Sequence, residues 1–296
     1  MSEKREPDEI RKVAVEGGEV VTYTFGEGDE TILFLHGSPM PSKIFHQPHA
    51  YLADQGYRVV HYDQLGVGES DKPDDPSLWT IERYTREVET VRKELGLGKV
   101  QLCGVSWGAL LVVEYAVTFP EGAKSYIIAS GFADADFHQQ ESDRLLSAFG
   151  PEFVRMRRVH EIMGTTDSQE YQASDWLMHC RHVCRMSPWP QEIMDAVAEF
   201  DETTMQPYKT LIGEEYSVLG NLRGWNRLAD MHKIEQPTLV LVGEHDELTP
   251  EEALKMHLEL PNSRIHVFRG AAHSYQFECP EEYRAVLGEF LTENRG

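Results

Sequence analysis

Residues 99–116 constrain the fold more than any other stretch of this chain. A short apolar run over residues 100–105 leads into Gly104-Val-Ser106-Trp-Gly108, and a segment rich in Ala, Leu and Val follows without a linker. This order predicts a buried strand, a sharp turn and a helix. In a nucleophile elbow the serine is strained, and small residues two positions away let strand and helix approach each other. Gly104 and Gly108 meet that requirement, which favours Ser106 as a nucleophile over an incidental serine in an ordinary turn.

Apolar runs alternate with helix-sized segments on both sides of this turn. The runs are short and continuous, as in strands buried on both faces of a sheet. The pattern predicts an α/β fold with a mostly parallel central sheet and helices on both faces. The predicted strands are 31–35, 57–62, 100–105, 124–130, 237–243 and 264–268, an opening hairpin pairs 13–14 with 20–25, and the longer helices are 43–55, 80–95, 250–260 and 280–293.

Residues 134–227 interrupt this alternation. They are polar or amphipathic, contain few β-branched clusters and carry Pro188-Trp-Pro190 near their middle. We therefore predict a helical cap over 134–227, inserted into a discontinuous core formed by 1–133 and 228–296.

Charge and composition exclude several classes of partner. The formal charge of −22 comes from 50 acidic and 28 basic residues, which argues against nucleic acid and against an anionic membrane surface. No apolar run approaches the ~18 residues of a membrane span, and the charged N-terminus lacks a signal peptide's apolar region. These features predict a cytoplasmic protein that binds neither nucleic acid nor a membrane. The partner that we expect is a small molecule or a short peptide.

Four cysteines are too few for a disulfide framework in a chain of 296 residues. Cys180 and Cys184 are four apart beside His179 and His182, so two thiols could share one helical face. A metal site there would need further ligands, and apolar packing of the thiols is favoured. We expect neither a metal nor an organic cofactor.

A serine hydroxyl needs a base to remove its proton and a third group to orient that base. In α/β hydrolases the acid follows the serine in the chain, and the histidine comes last. Asp246 directly follows one predicted strand and His273 follows the next, so both fall at the carboxyl edge of the sheet. We predict a triad of Ser106, His273 and Asp246, with Glu244 as the rival acid.

The tetrahedral intermediate of such a reaction needs two backbone donors for its oxyanion. The residue after the nucleophile, Trp107, supplies one in this architecture, and the loop after the 31–35 strand supplies the other. In that loop Ser38 is the predicted donor and Gly37 lets the backbone approach, whereas Pro39 has no N–H. His36 is expected to pack beneath the site.

The motifs around the predicted triad and oxyanion loop resemble those of the proline iminopeptidase and amino-acid amidase branch of the α/β hydrolases, which includes the tricorn-interacting aminopeptidase. The resemblance spans about residues 30–290. It rests on His36-Gly-Ser-Pro39, Tyr62-Asp-Gln-Leu-Gly-Val-Gly-Glu-Ser70, Gly104-Val-Ser-Trp-Gly108, Gly243-Glu-His-Asp-Glu-Leu-Thr-Pro250 and the Arg269 to His273 loop.

The resemblance implies that glutamates bind the substrate's free α-ammonium. Glu247 matches the position after the catalytic aspartate, and Glu215 is similar to the cap position, with Glu214 as the alternative. The oxyanion loop departs from the family's His-Gly-Gly-Pro-Gly at Ser38 and Met40, so a preference for proline does not follow.

Together these features predict a serine hydrolase that cleaves an amide or ester next to a free amino group through an acyl-enzyme. Two alternatives stay open: a carboxylesterase with the same triad, and a catalytically idle small-molecule binder.

Overall fold

The computed structural model describes residues 4–214 and 216–296. The strands are β1 Glu9–Val15, β2 Gly18–Phe25, β3 Glu30–Leu35, β4 Tyr57–Asp63, β5 Val100–Val105, β6 Ala123–Ala129, β7 Gly213–Glu214, β8 Ser217–Val218, β9 Thr238–Gly243 and β10 Ser263–Phe268. Eight of them form the main sheet in the order β1-β2-β4-β3-β5-β6-β9-β10, while β7 and β8 form a separate small hairpin. In the main sheet β1-β2 and β2-β4 are antiparallel and all other pairs are parallel. The predicted α/β fold with a mostly parallel sheet is therefore confirmed.

Helices cover both faces of the main sheet. The described helices are α1 His46–Asp54, α2 Ile81–Glu94, α3 Trp107–Thr118, α4 Ala135–Ser147, α5 Pro151–Met163, α6 Gln169–His182, α7 Gln191–Ala198, α8 Glu202–Leu211, α9 Pro250–Glu259, α10 Tyr275–Glu278 and α11 Pro280–Glu293. One buried apolar cluster packs α2, α3 and α9 on one face of the sheet, and a second packs α1 and α11 on the other.

Local sequence patterns explain most of these boundaries. Every residue of β3, β5 and β9 is buried, as their continuous apolar runs predict. Thr80 caps α2 by accepting a hydrogen bond from the Arg83 N–H at 3.3 Å. The first strand is longer than the predicted 13–14. Its backbone pairs with β2 along its whole length, but its side chains are mostly exposed and carry little apolar pattern.

The segment 134–227 contains α4 to α8 and the β7–β8 hairpin, and its described residues add no strand to the main sheet. The chain enters and leaves this segment side by side, since Asp134 and Asn226 form an antiparallel bridge. The Ala135 N–H donates to the Trp225 carbonyl at 2.9 Å, and the Arg227 N–H donates to the Ala133 carbonyl at 2.7 Å. The division into core and cap stays a prediction.

The structure corrects one expectation about the cap cysteines. The α6 helix ends at His182, so Cys184 lies beyond it and does not share a helical face with Cys180. Within 4–214 and 216–296, no group of three or more His, Cys, Asp or Glu residues is arranged to hold a metal. None of the described helices has the length and apolar character that crossing a membrane requires.

Candidate active site

Ser106 lies in a strained turn between β5 and α3. Its backbone has φ 57° and ψ −123°, and its N–H donates to the Ala129 carbonyl at 2.9 Å. A Cβ on Gly104 would come within 2.0 Å of the Gly108 carbonyl oxygen, and a Cβ on Gly108 within 2.2 Å of the Leu35 carbonyl oxygen. Both glycines are therefore required by close backbone contacts, and the turn has the geometry of a nucleophile elbow.

Asp246 and His273 form a hydrogen-bonded pair at the carboxyl edge of the sheet. The His273 Nδ1 lies 2.8 Å from Asp246 Oδ1, and the carboxylate is buried. Asp246 also accepts from the Leu248 N–H at 3.0 Å. The rival acid Glu244 is exposed and accepts a hydrogen bond from the Gly270 N–H at 2.7 Å. The geometry thus pairs His273 with Asp246.

Ser130 is a residue of this site that the sequence analysis missed. It follows β6 with φ 49°, and its hydroxyl donates to Asp246 Oδ2 at 2.6 Å. Its Oγ also lies 3.3 Å from the Tyr275 hydroxyl. The one signal in the sequence was its position at a strand end on the carboxyl edge of the sheet.

The loop after β3 lies directly against the nucleophile. A Cβ on Gly37 would be 2.9 Å from the Ser106 Cβ, so glycine is needed for this approach. His36 packs beneath the loop, as expected: its Nε2 accepts from the Gln64 N–H at 2.9 Å, and its Nδ1 lies 2.9 Å from the Gly37 carbonyl oxygen. Burial lowers the pKa of His36, which keeps the ring neutral. Gln64 Oε1 in turn accepts from the Trp107 indole at 2.8 Å.

A cavity of about 540 Å³ brings most of the predicted site residues together. Its acidic lining residues are Asp175, Glu214 and Glu247, and no Lys or Arg is found among its described lining residues. Asp175 is paired with the buried Arg157 at 2.5 Å. Burial raises the pKa of Glu214, whose Oε1 accepts from the Thr166 hydroxyl at 3.2 Å. Predicted residues that line this cavity are Gly37, Ser38, Ser106, Trp107, Glu247 and His273, whereas Glu215 lies outside the described residues.

A short segment at the end of α6 supports the loops that carry Asp246 and His273. The His182 carbonyl accepts from the N–H groups of Glu247 and His273, both at 3.2 Å, and the Val183 carbonyl accepts from the Ser274 N–H at 2.8 Å. The His182 Nδ1 lies 2.8 Å from the His245 carbonyl oxygen. We call residues 182–185 the cap strap, because this part of the predicted cap holds both loops.

Glu278 links the cap strap to the His273 loop. Its carboxylate accepts from the Arg185 N–H at 2.5 Å and from the Ala272 N–H at 2.6 Å. In Glu278→Ala both N–H groups lose their acceptor, so we expect the free energy of unfolding to fall by about 1–3 kcal/mol. Urea unfolding checks this value, with Glu281→Ala on the exposed side of α11 as the control. Equal stability of the two variants would contradict the assigned link.

The fold and this site define a class of protein. Residues 30–280 match the family model described as alpha/beta hydrolase fold, so the chain belongs to the α/β-hydrolase family and is a hydrolase. A relative from Heyndrickxia coagulans called proline iminopeptidase is 34% identical over 282 residues, which cover 94% of this chain and 97% of that protein.

Solved structures support the same branch of the family. The crystal structure of a proline iminopeptidase from Mycobacterium smegmatis has a TM-score of 0.85 and 31% identity, and the match covers 97% of this chain and 98% of that one. The crystal structure of VinJ has a TM-score of 0.91 and 29% identity, and the match covers 98% and 100% of the two chains. The resemblance drawn from the motifs is thus confirmed.

Proposed function

We propose that this hydrolase is a serine aminopeptidase or amidase that cleaves an amide bond next to a free N-terminal amino group. The observation that carries the proposal is the cavity that Ser106 and His273 share with carboxylate side chains. Its described lining residues include no lysine or arginine. In this proposal the segment 134–227 is a cap that closes the cavity and selects the substrate.

Each residue of the proposed active site has its own role in the reaction. The Ser106 Oγ attacks the amide carbonyl while His273 takes the hydroxyl proton. His273 then gives that proton to the leaving amine as the C–N bond breaks, and an acyl-enzyme remains. Water, deprotonated by His273, attacks the ester and releases the acid and Ser106. Asp246 orients the imidazole and stabilises its charged form, and the N–H groups of Ser38 and Trp107 bind the oxyanion.

Carboxylates next to the reacting carbonyl would bind a substrate ammonium. Glu247 comes directly after Asp246, and Glu214 lines the same cavity from the β7–β8 hairpin. A charge-assisted hydrogen bond contributes about 1.5–3 kcal/mol, and a carboxylate left unmatched by a blocked substrate is unfavourable. Glu215 remains the cap position that the family resemblance favours, so both cap glutamates enter the test.

Replacing Glu247 by glutamine keeps the shape of the side chain and removes its charge. We expect kcat/KM for an aminoacyl p-nitroanilide to fall at least about tenfold, since 1.36 kcal/mol corresponds to a factor of ten. An acyl ester without the amine should change little. Steady-state kinetics on both substrates measure this contrast, and Glu214→Gln and Glu215→Gln identify which cap glutamate takes part.

Glu244→Gln is the matched control, because Glu244 lies in the same loop but does not line the cavity. An equal loss on both substrates in Glu247→Gln would mean that Glu247 supports Asp246 and does not bind an ammonium. If neither substrate is affected, and the esters are the better substrates, the carboxylesterase interpretation replaces the aminopeptidase one.

A further inference from the structure

The cavity beside Ser106 is much larger than one aminoacyl group requires. Its volume of about 540 Å³ lies in the range of about 300–1,000 Å³ that is typical of pockets for drug-sized ligands. In an α-aminoacyl amide the ammonium nitrogen is two bonds from the carbonyl carbon that Ser106 attacks. The bound ammonium and the scissile carbonyl therefore occupy one small part of the cavity.

The side chains that line this cavity differ in exposure. Beside Glu214 and Glu247 the wall is formed by Tyr216, Val218 and Leu248, which are only 5–7% exposed. A terminal ammonium fits such a closed end. Trp176 and Val197 also line the cavity but are 50% and 39% exposed, so the part of the wall that they form opens to solvent, and we call this part the open end.

The open end is strongly apolar. It lies where α7 packs against the helical turn Ser42–Phe45, since Ala196 belongs to the same buried cluster as Ile44 and Phe45. The indole of Trp189 packs beside Trp176 with ring centroids 4.8 Å apart. Side chains lining this region include those of Ile44, Phe45, Trp189, Ile193, Val197 and Phe200.

The charge of the lining bears on what can occupy the open end. A dipeptide or longer peptide ends in a carboxylate, and the described lining residues include no Lys or Arg to pair with it. Burying an unpaired carboxylate against apolar side chains is costly. A neutral apolar amine component has no such cost and gains free energy for each methylene that leaves water.

We propose that the amine released by this enzyme is large, neutral and apolar, so that its substrates are aminoacyl amides of long-chain or bulky hydrophobic amines rather than short free peptides. This inference rests on the proposed function, because it assumes that the ammonium occupies the end beside Glu214 and Glu247. It adds the chemical class of the leaving group.

A series of L-prolyl and L-alanyl amides of ethylamine, butylamine and octylamine tests the inference. Each buried methylene improves binding about fourfold, so kcat/KM is expected to rise at least about thirtyfold from ethyl to octyl. The amide of 4-aminobutyrate places a carboxylate in the apolar region, and its kcat/KM should be at least about tenfold below that of the butyl amide.

Val197→Lys provides an independent test by placing a cation in the open end. A lysine at this half-exposed position can keep its ammonium near solvent. We expect the advantage of the octyl amide to shrink at least about fivefold and the 4-aminobutyrate amide to improve. Val159→Lys is the matched control, since Val159 is 49% exposed on α5 and does not line the cavity.

The outcomes separate this inference from the proposed function. If no amide in the series is cleaved, the proposed function itself is wrong. If the ethyl amides are cleaved but kcat/KM does not rise with chain length, only the inference about the leaving group fails. It also fails if lengthening the side chain of the amino acid, rather than the amine, produces the rise.

Discussion

Ser106→Ala is expected to lower kcat by about 10⁵-fold or more while leaving the fold intact. The alanine retains the Cβ and therefore the strained backbone at φ 57°, but it removes the oxygen that forms the acyl-enzyme. His273→Ala should have nearly the same effect, because the nucleophile and its base act as a unit. Asp246→Asn should cost less, about 10³–10⁴-fold, since this residue orients the imidazole.

Turnover of a chromogenic aminoacyl amide measures these losses, and circular dichroism verifies the fold of each variant. Labelling by a fluorophosphonate, mapped to Ser106 by mass spectrometry, provides a second readout in the unchanged protein. Ser106→Gly is a useful control. It should be as inactive as Ser106→Ala, but its free energy of unfolding should be about 1–3 kcal/mol higher than that of Ser106→Ala because glycine tolerates a positive φ. Substantial activity in a folded Ser106→Ala protein would show that another residue is the nucleophile, and absence of labelling would favour the idle binder.

Lowering the pH should destabilise this protein already between pH 6.5 and pH 5.0, which is above the range in which most carboxylates titrate. His46, His49 and His61 are buried together, and the rings of His49 and His61 stack on Phe34 with centroids 3.8 and 4.8 Å apart. Burial lowers the pKa of His46 to about 4 and that of His49 to about 3, and it also holds the pKa of His61 well below its usual 6.5. All three rings are therefore neutral in the folded protein.

The sign of the effect follows from these lowered pKa values. Below about pH 6.5 the unfolded chain binds protons at these histidines and the folded protein does not, so stability falls as the pH falls. Each imidazole contributes up to about 1.4 kcal/mol per pH unit. Glu87 and Glu214 act in the opposite direction, because burial raises their pKa. We expect the free energy of unfolding to fall by about 3–4 kcal/mol between pH 6.5 and pH 5.0.

Urea unfolding at several pH values in this range measures the slope. His61→Phe keeps a ring that can stack on Phe34 and removes one titrating group, so the slope should decrease by up to about 1.4 kcal/mol per pH unit. The same replacement at exposed His232 should leave the slope unchanged. A stability that does not vary with pH in the unchanged protein would mean that these rings are not held neutral.

The sequence by itself determined the features that depend on neighbouring residues. The elbow at Ser106 could be predicted because the turn forces a glycine on each side, and the contacts of 2.0 and 2.2 Å that added Cβ atoms would make there show why. The strands of the parallel part of the sheet could be predicted because burial on both faces requires continuous apolar runs. Because these strands are parallel, the loops after β9 and β10 lie at the same edge of the sheet. The contact between Asp246 and His273, which these loops carry, could therefore be predicted as well.

Only the tertiary structure decided which residues from distant parts of the chain complete the site. Ser130 binds Asp246 across 116 positions of sequence, and the cap strap holds the His273 loop through backbone carbonyls that no side-chain pattern reveals. The cavity wall beside Glu214 and the apolar open end depend on how α6, α7 and the β7–β8 hairpin pack. Local periodicity specifies which face of an element is buried, but it carries no information about which distant partner buries it.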